Sequence, residues 1–71
     1  MVMKVFIEDI KGYVEVFNNI WKITIKKING KNTLILKGNP ASDEINISLS
    51  KIKLAYALDN VNLEEYFRYE K

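Results

Sequence analysis

Residues 20–38 constrain the fold more than any other stretch of the chain. Trp21, Ile23 and Ile25 alternate with Lys22, Thr24 and Lys26, Asn29-Gly30 follows, and Leu34 and Leu36 then alternate with Thr33, Ile35 and Lys37. Period-two alternation marks a half-buried strand. Asn-Gly suits the two positive φ angles of a tight hairpin turn. A two-residue turn sets Ile25 opposite Leu34 and Ile23 opposite Leu36, and also sets Lys22 opposite Lys37. A four-residue loop, Asn29 to Asn32, would pair Ile25 with Leu36 and separate those lysines. Both registers keep the apolar residues on one face, which a one-residue slip would not.

The same parity extends towards the N-terminus. Asn18-Asn19, read as a second two-residue turn, pairs Val16 with Trp21 and Val14 with Ile23, and sets Glu15 opposite Lys22 on the outer face. A turn around Ile10-Lys11 places Val5 and Ile7 against Val16 and Val14. The expected inner face is therefore Val5, Ile7, Val14, Val16, Trp21, Ile23, Ile25, Leu34 and Leu36. Trp21 is expected in the core, where its N–H would need an acceptor.

Gly38-Asn39-Pro40-Ala41-Ser42-Asp43 is rich in turn residues and reads as a loop. Alternation resumes at Ile45, Ile47 and Leu49, then changes phase to Ile52, Leu54, Tyr56 and Leu58. A bulge or corner at Ser50-Lys51 would absorb the extra residue. A helix from about Leu49 to Leu58 also fits the spacing, but the Ile-rich alternation favours strand. At the end of the chain Asn62-Leu63-Glu64-Glu65 resembles a capping box. Leu63, Tyr66 and Phe67 follow helical spacing, and Glu64 and Arg68 stand at i, i+4. The stripe is expected to cap the protein's own core.

These signals predict a single small domain over residues 1–71, mostly β within an α+β class. It is a small antiparallel meander or partly closed barrel of five or six strands with a short C-terminal helix. Strands are expected at about 2–8, 12–17, 20–28, 33–37, 44–50 and 51–58, and the helix at about 62–70.

A domain this small buries only about 60% of the surface its unfolded chain exposes. There is no Cys and no His, so neither a disulfide nor an ordinary structural zinc site can staple it. Good packing and self-association remain, and 48% apolar residues are ample for a core. No apolar run approaches the roughly 20 residues that cross a bilayer. The first residues lack the features of a signal peptide. A cytoplasmic protein with no membrane association is expected.

The composition also excludes chemistry. General acid–base catalysis most often uses His. The carboxylate pairs Glu8/Asp9, Asp43/Glu44 and Glu64/Glu65 are adjacent in sequence, so on a strand they point to opposite faces. Ser48 and Ser50 have only Lys51 and Lys53 nearby as bases. Asp43-Glu44 lacks the regular oxygen spacing of a cation loop. No enzyme, no cofactor and no metal are expected.

Net charge is only +2, but it is unevenly spread. Residues 16–40 carry five lysines and no acid, while residues 59–71 carry four acids against Arg68 and Lys71. The outer face of the meander is expected to present Phe6, Tyr13, Phe17, Ile20, Lys22, Thr24, Lys26, Ile35 and Lys37. From these, Tyr13, Phe17, Lys22, Lys26, Ile35 and Lys37 are the candidate partner-binding residues. The expected function is a non-enzymatic protein-binding module, a small regulator or inhibitor that occupies a partner's surface or self-associates as a homodimer. The alternative is a nucleic-acid-binding small β-barrel, in which the rings stack bases and the lysines neutralise phosphates.

Overall fold

The computed structural model describes residues 2–38 and 44–71. Six strands form one antiparallel sheet: β1 (Met3–Asp9), β2 (Val14–Ile28), β3 (Lys31–Gly38), β4 (Glu44–Ser48), β5 (Ile52–Asp59) and β6 (Glu65–Glu70). A 3-10 turn, Leu49–Lys51, stands at the corner between β4 and β5. The strand order is β4-β3-β2-β1-β5-β6, and the sheet does not close. The antiparallel, mostly β architecture agrees with the sequence. The predicted loop residues 39–43 lie outside the described residues.

The central hairpin takes the two-residue register. Ile28 stands opposite Lys31, Ile25 opposite Leu34, Ile23 opposite Leu36 and Lys22 opposite Lys37. Asn29 and Gly30 have φ of 51° and 79°, the signs that a type I′ turn requires.

Asn18-Asn19 is not a turn. β2 runs unbroken for 15 residues. Its first half pairs with β1 from Val14 to Ile20, and its second half pairs with β3 from Ile20 to Ile28. Two register shifts flank Ile20, one across Phe17–Ile20 and one across Ile20–Lys22. Asn19, with φ of 59°, supplies the left-handed residue of the first. Asn accepts that conformation in a turn or a bulge alike, and here it re-aims the strand without reversing it.

The β1–β2 connection is one residue longer than the predicted Ile10-Lys11 turn. The Asp9 N–H donates to the Tyr13 carbonyl at 2.9 Å, and the Gly12 N–H donates to the Asp9 carbonyl at 3.0 Å. The Asp9 carboxylate accepts from the Lys11 and Tyr13 N–H groups at 2.9 and 3.0 Å. Gly12, with φ of 94°, takes the left-handed position of a three-residue hairpin loop. The added residue shifts the register, so Val5 faces Phe17, Phe6 faces Val16 and Ile7 faces Glu15. Val14 and Val16 are thereby exposed beside Glu8 and Phe6 on the outer face, contrary to the expected inner set. Phe17 turns inward and packs, partly buried, against the core.

The core joins Met3, Val5 and Ile7 of β1 to Ile20, Leu34, Leu36, Ile52, Ala55 and Ala57. Ala57 lies between Val5 and Phe67 in register, and Ala55 between Ile7 and Tyr69. Small residues between large ones let the neighbouring side chains fill the space above them. Each fully buried Leu or Ile contributes roughly 1.5–3 kcal/mol. β5 begins with buried Ile52, and a shift at Lys53 then sends Leu54, Tyr56 and Leu58 to the opposite face.

The predicted C-terminal helix is a strand. Phe67 and Tyr69 pack against the core and alternate with exposed Arg68 and Glu70. Asp59, and not Asn62, organises the connection. Its carboxylate accepts from the Val61 N–H at 2.7 Å, and its carbonyl from the Leu63 N–H at 3.0 Å. A two- or three-turn helix is marginal alone. The open edge of β5 instead offers ladder partners from Leu54 to Leu58.

Candidate interaction surface

Four of the six candidate residues share one outer face. Across β2, β3 and β4 the register forms three rows: Lys26–Thr33–Ser48, Thr24–Ile35–Asn46 and Lys22–Lys37–Glu44. Lys22 and Lys26 are exposed. Lys37 Nζ lies 3.8 Å from Glu44 Oε2, so a carboxylate already sits beside it. Ile35 is only 5% exposed and stands outside the main core cluster. It is covered on this face and offers no contact area. Long lysine stems beside it can shed water from such a residue while their ammonium groups stay solvated.

The two aromatic candidates lie elsewhere. Tyr13 is strongly exposed at the β1–β2 connection, beyond the start of β2. Phe17 faces the interior, opposite Val5. Neither ring joins the lysine rows.

Two of the exposed apolar residues of this region, Trp21 and Ile25, are ones that parity places in the core. Trp21 is 50% exposed, because it is the unpaired residue between Ile20 and Lys22 in the shifted ladder. Ile25 and Ile28 are 44% and 38% exposed. The signal for Trp21 is its place two residues after Asn19, where a bulge breaks period-two counting.

The same geometry leaves an open strand edge. β1 stops pairing with β2 at Met3–Ile20. From Trp21 to Ile28, β2 has β3 on one side, and among the described residues no strand lies on the other. Hydrogen-bonded and non-hydrogen-bonded pairs alternate along an antiparallel ladder. The Ile28–Lys31 pair closes the hairpin, so Ile28, Lys26, Thr24 and Lys22 spend their backbone groups on β3. The backbone N–H and C=O groups of Ile23, Ile25 and Lys27 point to the open edge.

A half-buried aromatic pair, with exposed Arg68 beside it, lies behind β1 and β5. The Phe6 and Tyr56 rings stack at 4.9 Å and 17°, and the Arg68 guanidinium stands 5.5 Å from the Tyr56 centroid. Arg68 also forms a two-pronged pair with Glu65. That hydrogen bond holds the Glu65 carboxyl below its ordinary pKa, and Glu65 raises Arg68 in turn.

Several acids have structural partners. Asp9 and Asp59 cap turns, Glu65 binds Arg68, and Glu44 lies near Lys37. A cleft between the tip of the central hairpin and the end of β6 is lined by Lys31, Ser50, Tyr69 and Lys71 among others, with no Asp or Glu among the described lining residues. Another, near the β1–β2 connection, has Asp9 and Glu15 on its walls beside Ile47 and Lys51. Among the described residues no three acids converge as a metal site would need. No helix is long and apolar enough to cross a membrane among the same residues. Comparison with known proteins finds no match to this chain, whether among family models, curated proteins or solved structures.

Proposed function

We propose that this protein is a non-enzymatic protein-binding module that meets its partner along the second half of β2. The observation that carries the reading is Trp21, the protein's single tryptophan, half exposed at the head of an unpaired strand edge. Tryptophan at a protein surface is over-represented among residues that dominate binding energy. Ile25 and Ile28 extend the apolar contact, and Lys22 and Lys26 give it charge. The turn-capping and ion-paired roles of Asp9, Asp59 and Glu65 support a role without catalysis.

The nucleic-acid alternative has less support. It called for rings among the lysines, and Tyr13 and Phe17 stand apart from them. The test is affinity capture from the native lysate by the wild-type protein and by a Trp21→Ala/Lys26→Glu variant. A protein retained by the first and released by the second supports the reading. Retention of nucleic acid in place of protein, or equal capture by both forms, rejects it.

A further inference from the structure

We infer that the open edge of β2, Trp21 to Ile28, accepts an added strand from an acidic partner segment in which apolar and carboxylate residues alternate. The inference rests on the protein-binding reading and specifies the partner's chemistry. An exposed strand edge is a ready template for backbone pairing, and partners that use it gain affinity from main-chain hydrogen bonds and specificity from alternate side chains. Here the donors and acceptors are supplied by Ile23, Ile25 and Lys27, whose backbone groups the β2–β3 ladder leaves unused.

Side-chain parity defines the partner. A strand laid on this edge places every second residue beside Ile23 and Ile25, on the face continuous with Leu34 and Leu36. Those positions call for Val, Ile or Leu. The intervening residues stand beside Lys22, Thr24 and Lys26 on the outer face, and there carboxylates fit. From Val16 to Gly38 the chain carries no acid, so no neighbour on this segment competes for the lysines. Lys27 adds a further positive charge on the same edge.

The same charges disfavour one occupant. Two copies joined edge to edge through β2 about Thr24 would bring Lys22 of each against Lys26 of the other, and like charges directly opposite destabilise a ladder. Lysine on an edge strand blocks such self-pairing. An acidic strand turns that repulsion into attraction.

The test uses the full chain and a fluorescein-labelled, acetylated octapeptide of four Val-Glu repeats, with a Val-Lys octapeptide and an oligothymidylate as controls. The expected result is binding of the Val-Glu peptide alone, weakening with salt. It is accompanied by slowed amide exchange at Ile23, Ile25 and Lys27. Lys22→Glu/Lys26→Glu weakens it about tenfold or more, as several exposed charge pairs reverse sign. Ile25→Pro removes an edge-facing N–H that β3 does not use and so abolishes binding. A conserved far-ultraviolet spectrum shows that each variant folds, and the charge variant decides the matter if the proline variant does not.

Peptide binding without exchange protection at these three amides overturns strand addition and leaves the protein-binding reading standing. Absence of peptide binding, alongside lysate capture that depends on Trp21, does the same. Binding of the oligothymidylate with no peptide binding overturns both.

Discussion

Arg68 grips both carboxylate oxygens of Glu65, Nε to Oε1 and Nη2 to Oε2, each at 2.9 Å, although the two residues lie three apart on one strand. On a regular strand that spacing puts side chains on opposite faces. The register shift between Ala57 and Leu58 removes the conflict. Phe67 stands opposite Ala57 and Glu65 opposite Leu58, so Tyr66 is the unpaired residue and its neighbours come to one side. The pair therefore reports directly on the bulge.

The first prediction concerns that carboxyl. Because Arg68 depresses the folded-state pKa of Glu65, the interaction is fully present above the ordinary carboxylate range. It fades as pH falls through the lowered value. Carboxyl chemical shifts followed through an acid titration should show Glu65 titrating below the ordinary glutamate range. Arg68→Ala should return it to that range. An unchanged midpoint in the variant would mean the fork does not persist in solution.

The second concerns the alanines of β5. Ala57 and Ala55 are fully buried, each between two larger residues in register. Ala57→Leu should overpack that row and lower stability by about 1–3 kcal/mol. The fall is read as a drop in urea midpoint with little change in slope. A stabilised variant would mean that the row holds unfilled space.

The third separates core from surface. Leu34 is fully buried, whereas Trp21 is half exposed. Leu34→Ala should cost about 2–5 kcal/mol, a large share of what so small a domain holds. Trp21→Ala should cost less, and acrylamide should quench the Trp21 fluorescence of the native protein readily. A shielded, blue-shifted indole would contradict this placement.

The fourth isolates backbone conformation. Gly12 and Gly30 have φ of 94° and 79°, and a Cβ at either meets no atom within 4 Å. Replacing either with L-alanine should cost about 1–2 kcal/mol through left-handed strain alone. D-alanine at the same positions, introduced by chemical synthesis, should recover the loss. Equal melting temperatures for the two enantiomers would place the cause elsewhere.

Strong local turn chemistry made the central hairpin legible in the sequence. Asn29-Gly30 fixed a register that alternation on both flanks supports. The errors arose where one residue changed the count. Ile10–Gly12 forms a three-residue loop, and reading it as the two-residue turn Ile10-Lys11 transposes Val14 and Val16 with Phe17. Asn18-Asn19 carried the composition of a turn, and only the long-range pairing of β2 with both β1 and β3 made it a bulge. Trp21 left the core for the same reason. At the C-terminus the Leu63–Tyr66–Phe67 stripe competed with the Phe67–Tyr69 alternation. The vacant flank of β5, a tertiary fact, decided between them. The lysines Lys22 and Lys26 were identified with their proper face. The open edge beside them was not, because it depends on where β1 stops.

β2 is common property of both halves of the molecule, with β1, β5 and β6 hung from one end and β3 and β4 from the other. The two halves also share one buried cluster, in which Met3, Val5 and Ile7 stand with Ile20, Leu34 and Leu36, so detaching either half uncovers apolar surface of the other. Loosening of that cluster is therefore felt in both halves. A single cooperative unfolding transition is the expected outcome, read as coincident urea midpoints by fluorescence and circular dichroism.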